Sequence, residues 1–118
     1  MDGRILHLRK LFLNDLAHDW TIEEMARNVE LSTPHLQKLF KANLGIAPFA
    51  YLQVQRLERA RELLETTFLQ IKQIGVQTGC RNDSHLTRDF KRRFGLTPTE
   101  YRKRFWKRMN AGDSDGQR

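Results

Sequence analysis

The chain has 118 residues, 39% apolar and 30% charged, with 21 Lys/Arg against 14 Asp/Glu for a net charge of +7. No apolar run approaches the roughly 18 residues that span a bilayer, so no membrane partner is expected. The single cysteine, Cys80, excludes an internal disulfide framework and a multi-cysteine zinc site, and His7, His18, His35 and His85 lie too far apart for a metal-binding helix.

Nothing alternates with period two for long enough to make a strand, so the expected fold class is all-α. Asp2, Arg4, Arg9 and Lys10 interrupt any signal-peptide core, and the expected location is cytoplasmic. A first helix over about 3–15 places Ile5, Leu8, Phe12 and Leu16 on one side. "TIEE" at 21–24 reads as a capping box, with Thr21 as cap and Glu24 reaching back, opening a short helix to about Asn28. Ser32 caps a third helix with Pro34 in its first turn, closed by Gly45. Pro48 opens a long fourth helix to about Glu65, with Val54, Leu57, Ala60 and Leu64 as its buried stripe. The cycle then repeats: a helix over about 70–78 stopped by Gly79, a sixth capped by Asn82 and closed by Gly95, and a seventh opened by "TPTE" (97–100) and running to about Arg108. The tail "NAGDSDGQR" lacks apolar residues and is expected to be loose.

The cycle is visible residue by residue. "HLQKLFKANLGIAPFAYL" (35–52) and "HLTRDFKRRFGLTPTEYR" (85–102) share seven of eighteen positions at an offset of fifty: His35/His85, Leu36/Leu86, Phe40/Phe90, Lys41/Lys91, Gly45/Gly95, Pro48/Pro98 and Tyr51/Tyr101. At 100° per residue, Leu36, Leu39, Phe40 and Leu44 cluster in a core-facing arc of the third helix, with Gln37, Lys38 and Lys41 opposite. In the sixth helix Leu86, Phe90 and Phe94 face inward, while Ser84, Thr87, Arg88 and Lys91 face outward. His35 and His85 are read as packing residues at the edge of the core. Asp89, where the first copy has Leu39, is expected to pair with Arg93 at i, i+4.

A short helix, a tight turn and a second helix with a polar, basic outer face make a helix-turn-helix, whose second helix enters the DNA major groove. Arg88 suits guanine, Gln37 adenine, and Thr87 a thymine methyl or a hydrogen-bonding edge. Lys41 and Lys91 lie one turn further along and suit phosphates, and Arg92 is placed with them. Residues 81–108 hold ten Lys/Arg against three Asp/Glu, so the whole net charge is concentrated there, as expected for a polyanion partner. The competing reading is a helical protein-interaction module with a basic docking surface. An enzyme is not expected, since the sequence offers no nucleophile–base constellation, no phosphate-cradling glycine loop and no carboxylate pair; nor is a cofactor.

"GCRNDSHLTRDFKRRFGLTPTEYR" (79–102), with "LERARELLETT" on the long helix, resembles the AraC/XylS family of bacterial transcription regulators. The resemblance covers roughly residues 4–106. It implies seven helices forming two helix-turn-helix units joined by a long linker helix, with 3–46 as the first unit, 47–66 as linker, 67–109 as the second unit, and 110–118 as a flexible tail. It also implies that each monomer places two recognition helices in successive major-groove segments. Matched residue by residue, the base-reading positions fall on Pro34, Gln37 and Lys38, and on Asp83, Ser84, Thr87 and Arg88. Implied partners are double-stranded DNA, RNA polymerase, and a sensory or dimerisation domain outside this chain. Two departures from the family pattern, Cys80 for the usual aromatic and Gly75 for a common alanine, are expected to loosen the second unit.

Overall fold

A computed structural model describes the backbone of residues 1–116 and the side chains of residues 1–111. Among the described residues there are seven helices and no strand: α1 (Gly3–Asn14), α2 (Ile22–Asn28), α3 (Thr33–Leu44), α4 (Pro48–Thr66), α5 (Ile71–Thr78), α6 (Asp83–Phe94) and α7 (Pro98–Gly116). The chain divides into two compact units, Met1–Arg56 and Leu57–Arg118, with the division inside α4.

In the first unit Ile5, Leu8, Phe12 and Leu16 are all buried, joined by Trp20, Met25, Ala26, Val29, Leu36, Phe40 and Leu52. The loop after α1 has carbonyl groups that no helix satisfies, and buried carbonyls need partners. The Trp20 indole N–H donates to the Asp15 carbonyl at 2.9 Å. The Arg56 guanidinium donates to the carbonyls of Leu16 (2.9 Å) and His18 (2.8 Å). Glu24 departs from the expected box. Its N–H is capped by Thr21 Oγ1 at 3.1 Å, but its carboxylate lies 2.7 and 2.9 Å from His18 Nε2 instead of reaching back to Thr21.

The second unit buries Leu57, Ala60, Leu64, Ile74, Cys80, Leu86 and Phe90. Its loop after α4 is sealed by different donors. Arg102 donates to the carbonyls of Leu64 (3.2 Å), Thr67 (3.1 Å) and Leu69 (2.6 Å), and burial lowers its pKa. The Trp106 indole N–H donates to the Glu65 carbonyl at 3.2 Å. Glu65 follows Asp15 by fifty residues, so the same carbonyl receives an indole in both units. The aromatic neighbour repeats as well: His18 meets Trp20 edge-on at 4.6 Å and Phe68 meets Trp106 edge-on at 4.8 Å. Beside this loop Arg61 bridges Glu58 (3.0 Å) and Glu65 (2.8 Å), and the Tyr101 hydroxyl donates to Glu65. Burial, then the Glu65 carboxylate, push the Tyr101 phenol above its ordinary pKa.

Three expectations are corrected here. Val54 is only half-buried, and Leu52 is buried in its place. The stripe changes core between Leu52, which packs in the first, and Leu57, which packs in the second, so a single 3.6-residue stripe does not describe α4. Helix α7 passes Arg108, because nothing in "MNAGDSDG" carries a proline to stop it; residues 110–116 continue its backbone and residues 117–118 lie outside the described residues. Gly75 does not loosen the second unit. A Cβ there would lie 2.5 Å from the Cys80 carbonyl oxygen and 3.7 Å from Leu86 Cδ2, so the turn after α5 closes tightly onto the helix because the side chain is absent. Cys80 itself is buried in the core.

The turn geometry yields a stability prediction. Gly75→Ala improves intrinsic helix propensity by about 1 kcal/mol, but the methyl meets backbone rather than a flexible side-chain end. We expect a net destabilisation of about 1–3 kcal/mol, read as a lower urea midpoint in a far-ultraviolet circular dichroism titration. A midpoint at or above that of the parent chain would show that the turn relaxes freely.

Candidate nucleic-acid interface

The third and sixth helices are built alike. Ser32 Oγ accepts from the His35 N–H at 3.3 Å, and Asn82 Oδ1 accepts from the His85 N–H at 3.0 Å. Each helix ends on a left-handed glycine, Gly45 (φ 84°) and Gly95 (φ 82°), whose N–H donates to the carbonyl of Lys41 or Lys91. Inward, Leu36 and Phe40 are buried in one unit and Leu86 and Phe90 in the other. The rings Phe40/Tyr51 and Phe90/Tyr101 meet edge-on at 5.5 and 5.6 Å, so the repeat extends to its aromatic packing. The capping box at the start of α7 is complete: the Thr97 N–H donates to Glu100 Oε1 at 2.9 Å and the Glu100 N–H to Thr97 Oγ1 at 3.2 Å. The Thr97 N–H, chiefly, holds the Glu100 carboxyl below its usual pKa.

With the core faces fixed, the opposite faces follow. On α3, Pro34, Gln37, Lys38 and Lys41 are exposed. On α6, Asp83, Ser84, Arg88, Lys91 and Arg92 are exposed and Thr87 is half-buried. Each unit thus gathers its own predicted residues on one helix surface. A short helix precedes it through a tight turn, in which Glu30 (φ 57°) in one unit and Gly79 (φ 85°) in the other are left-handed. Asp83 sits in the first turn of α6, where a carboxylate is favoured by the helix dipole.

Two expectations about neighbours fail. The side chains of His35 and His85 are exposed rather than packed; what the structure uses at these positions is the backbone N–H, held by the cap. Asp89 does not pair with Arg93. Arg93 donates to Glu58 Oε1 through Nε (3.3 Å) and Nη2 (3.1 Å), a partner 35 residues away. Asp89 instead accepts from Arg88 Nε at 3.3 Å. Arg81, exposed in the turn just ahead of α6, was counted in the sequence only as charge. Among the described residues no group of three or more His, Cys, Asp or Glu is arranged to hold a metal ion.

Residues 25–104 match the family model described as "Helix-turn-helix domain". The chain is 36% identical over 85 residues to the lactose operon transcription activator of Staphylococcus xylosus, covering 72% of this chain and 30% of that protein. It is 32% identical over 103 residues to the arabinose operon regulatory protein of Escherichia coli, covering 86% and 35%. Among solved structures it resembles the DNA-binding domain of AdpA in complex with a target DNA, at a TM-score of 0.87 and 25% identity, over 91% of this chain and 96% of that one. An AraC-type regulator from Chromobacterium violaceum matches at 0.80 and 30% identity, over 86% and 91%. The chain spans about a third of the length of the curated relatives it matches. Two capped helix-turn-helix units, matched in fold and in sequence to these regulators, place the chain in the helix-turn-helix domain family, as a domain of the AraC type.

Proposed function

We propose that this domain binds double-stranded DNA sequence-specifically and regulates transcription, α3 and α6 each reading a major-groove segment. One observation carries this reading: two helices with the same caps and the same buried Leu/Phe pair both turn polar and basic side chains to solvent. Pro34, Gln37 and Lys38 read bases in the first unit, and Asp83, Ser84, Thr87 and Arg88 in the second. Lys41, Lys91 and Arg92 contact phosphates. Pro34 offers only apolar contact, and Asp83 suits a cytosine amine. The AdpA complex with DNA supports the mode of binding. The names of the relatives, which include an operon activator, support RNA polymerase as the downstream partner and the cytoplasm as location. Their greater length supports a sensory or dimerisation domain acting with this one.

Selection of bound duplexes from a random pool tests the proposal, followed by competition with excess random duplex. Specific complexes typically exceed nonspecific ones by 10³-fold or more, so the selected site should resist the competitor. Equal loss of both would favour a basic protein-docking surface instead. Within the selected site, Arg88→Ala is expected to cost about 1–3 kcal/mol and to relax preference at one base pair. Lys91→Ala should weaken every duplex alike and flatten the log–log salt slope by about one. An unchanged slope would remove Lys91 from the phosphate backbone.

A further inference from the structure

We infer that Asp89 is a positioning residue for base reading, turning Arg88 so that the Nη1/Nη2 edge of its guanidinium is the one offered to a base. The inference rests on the DNA-reading role proposed above. A guanidinium has two edges that can form paired hydrogen bonds, Nη1/Nη2 at its end and Nε/Nη2 along its side. Asp89 Oδ1 lies 3.3 Å from Arg88 Nε, so one of the two donors of the side edge is engaged within the protein. The Asp89 side chain is 23% exposed against 59% for Arg88. The carboxylate is therefore seated on the shoulder between the core face and the outer face, while the guanidinium stands out from the helix.

One competing cation is engaged elsewhere. Arg93, one turn along and the natural i, i+4 partner of Asp89, places both Nε and Nη2 on Glu58. An exposed pair of this kind contributes little to folding. Its effect lies in limiting the orientations of a long, rotamer-rich side chain before DNA arrives, which lowers the ordering cost of binding in one geometry. The first unit lacks the device: its matching pair is Lys38 and Leu39, a point charge beside an apolar neighbour. A negative charge beside the groove also opposes phosphate, so Asp89 trades general attraction for selectivity.

The test uses the full chain with three duplexes: the selected site, the same site changed at the base pair assigned to Arg88, and a random duplex. Asp89→Ala, and Asp89→Leu, which copies Leu39 and preserves the shoulder packing, are expected to lower preference at that base pair about 3- to 10-fold. Both should bind random duplex as tightly as the parent chain or more tightly. Asp89→Asn, which keeps an acceptor oxygen, should retain most of the preference. In an Arg88→Ala background the Asp89 substitutions should leave preference unchanged. The inference is overturned if Asp89→Leu keeps full preference while the parent chain is selective, or if preference falls equally with Arg88 already removed. A parent chain that binds selected and random duplexes equally would overturn the DNA-reading role, and the inference with it.

Discussion

Phe40→Ala and Phe90→Ala are each expected to destabilise their own unit by about 3–5 kcal/mol. Both rings are fully buried, and each is met edge-on by a tyrosine of the following helix, Tyr51 or Tyr101. Truncation removes the ring from its core and leaves a cavity beneath the very helix whose outer face carries the proposed reading residues. Domains of this size are stable by only about 5–15 kcal/mol in total, so a large part of the helicity should be lost in each variant at moderate temperature. Circular dichroism in a urea titration measures it. Two variants with the parent midpoint would contradict the burial of both rings.

The second large effect is expected at Arg102. Its guanidinium serves the three carbonyls of Leu64, Thr67 and Leu69 where the chain leaves α4, and it lies over the Trp106 ring at 5.3 Å. Hydrogen bonds to charged groups contribute about 1.5–3 kcal/mol each, and this group is only half-buried, so water would replace part of what is lost. We expect Arg102→Ala to cost about 2–4 kcal/mol. Arg102→Lys should recover less than half, because an ammonium cannot reproduce the planar fork. Recovery by lysine to the parent midpoint would mean that charge, rather than the three-way geometry, is what counts.

Much of this structure was legible beforehand because the informative residues act locally. The caps Thr21, Ser32, Asn82 and Thr97 and the terminal glycines Gly45, Gly79 and Gly95 each mark a helix end within a few residues of themselves, and the buried Leu/Phe pairs follow from helical period alone. What escaped depends on distant chain. Glu58 captures Arg93 across 35 residues, which no i, i+4 rule anticipates, while Asp89 meets Arg88. Glu24 turns to His18, outside its own helix. Gly75 reads as a weak helix residue until the backbone of Cys80 is seen pressed against it. The sealing of the two loops was hidden for a related reason: the acceptor carbonyls of Asp15 and Glu65 stand fifty apart, but Trp20 and Trp106 do not.

That last mismatch gives each unit its own optical reporter. The chain has two tryptophans, one per unit, each hydrogen-bonded where the first helix of its unit ends. Trp20 is 9% exposed while Trp106 is half-buried, so their emission maxima should differ, the former lying to the blue. With Trp106→Phe only the first unit emits, and with Trp20→Phe only the second. Paired fluorescence melts of these two variants would resolve whether the two halves of the duplicated fold come apart together or in sequence.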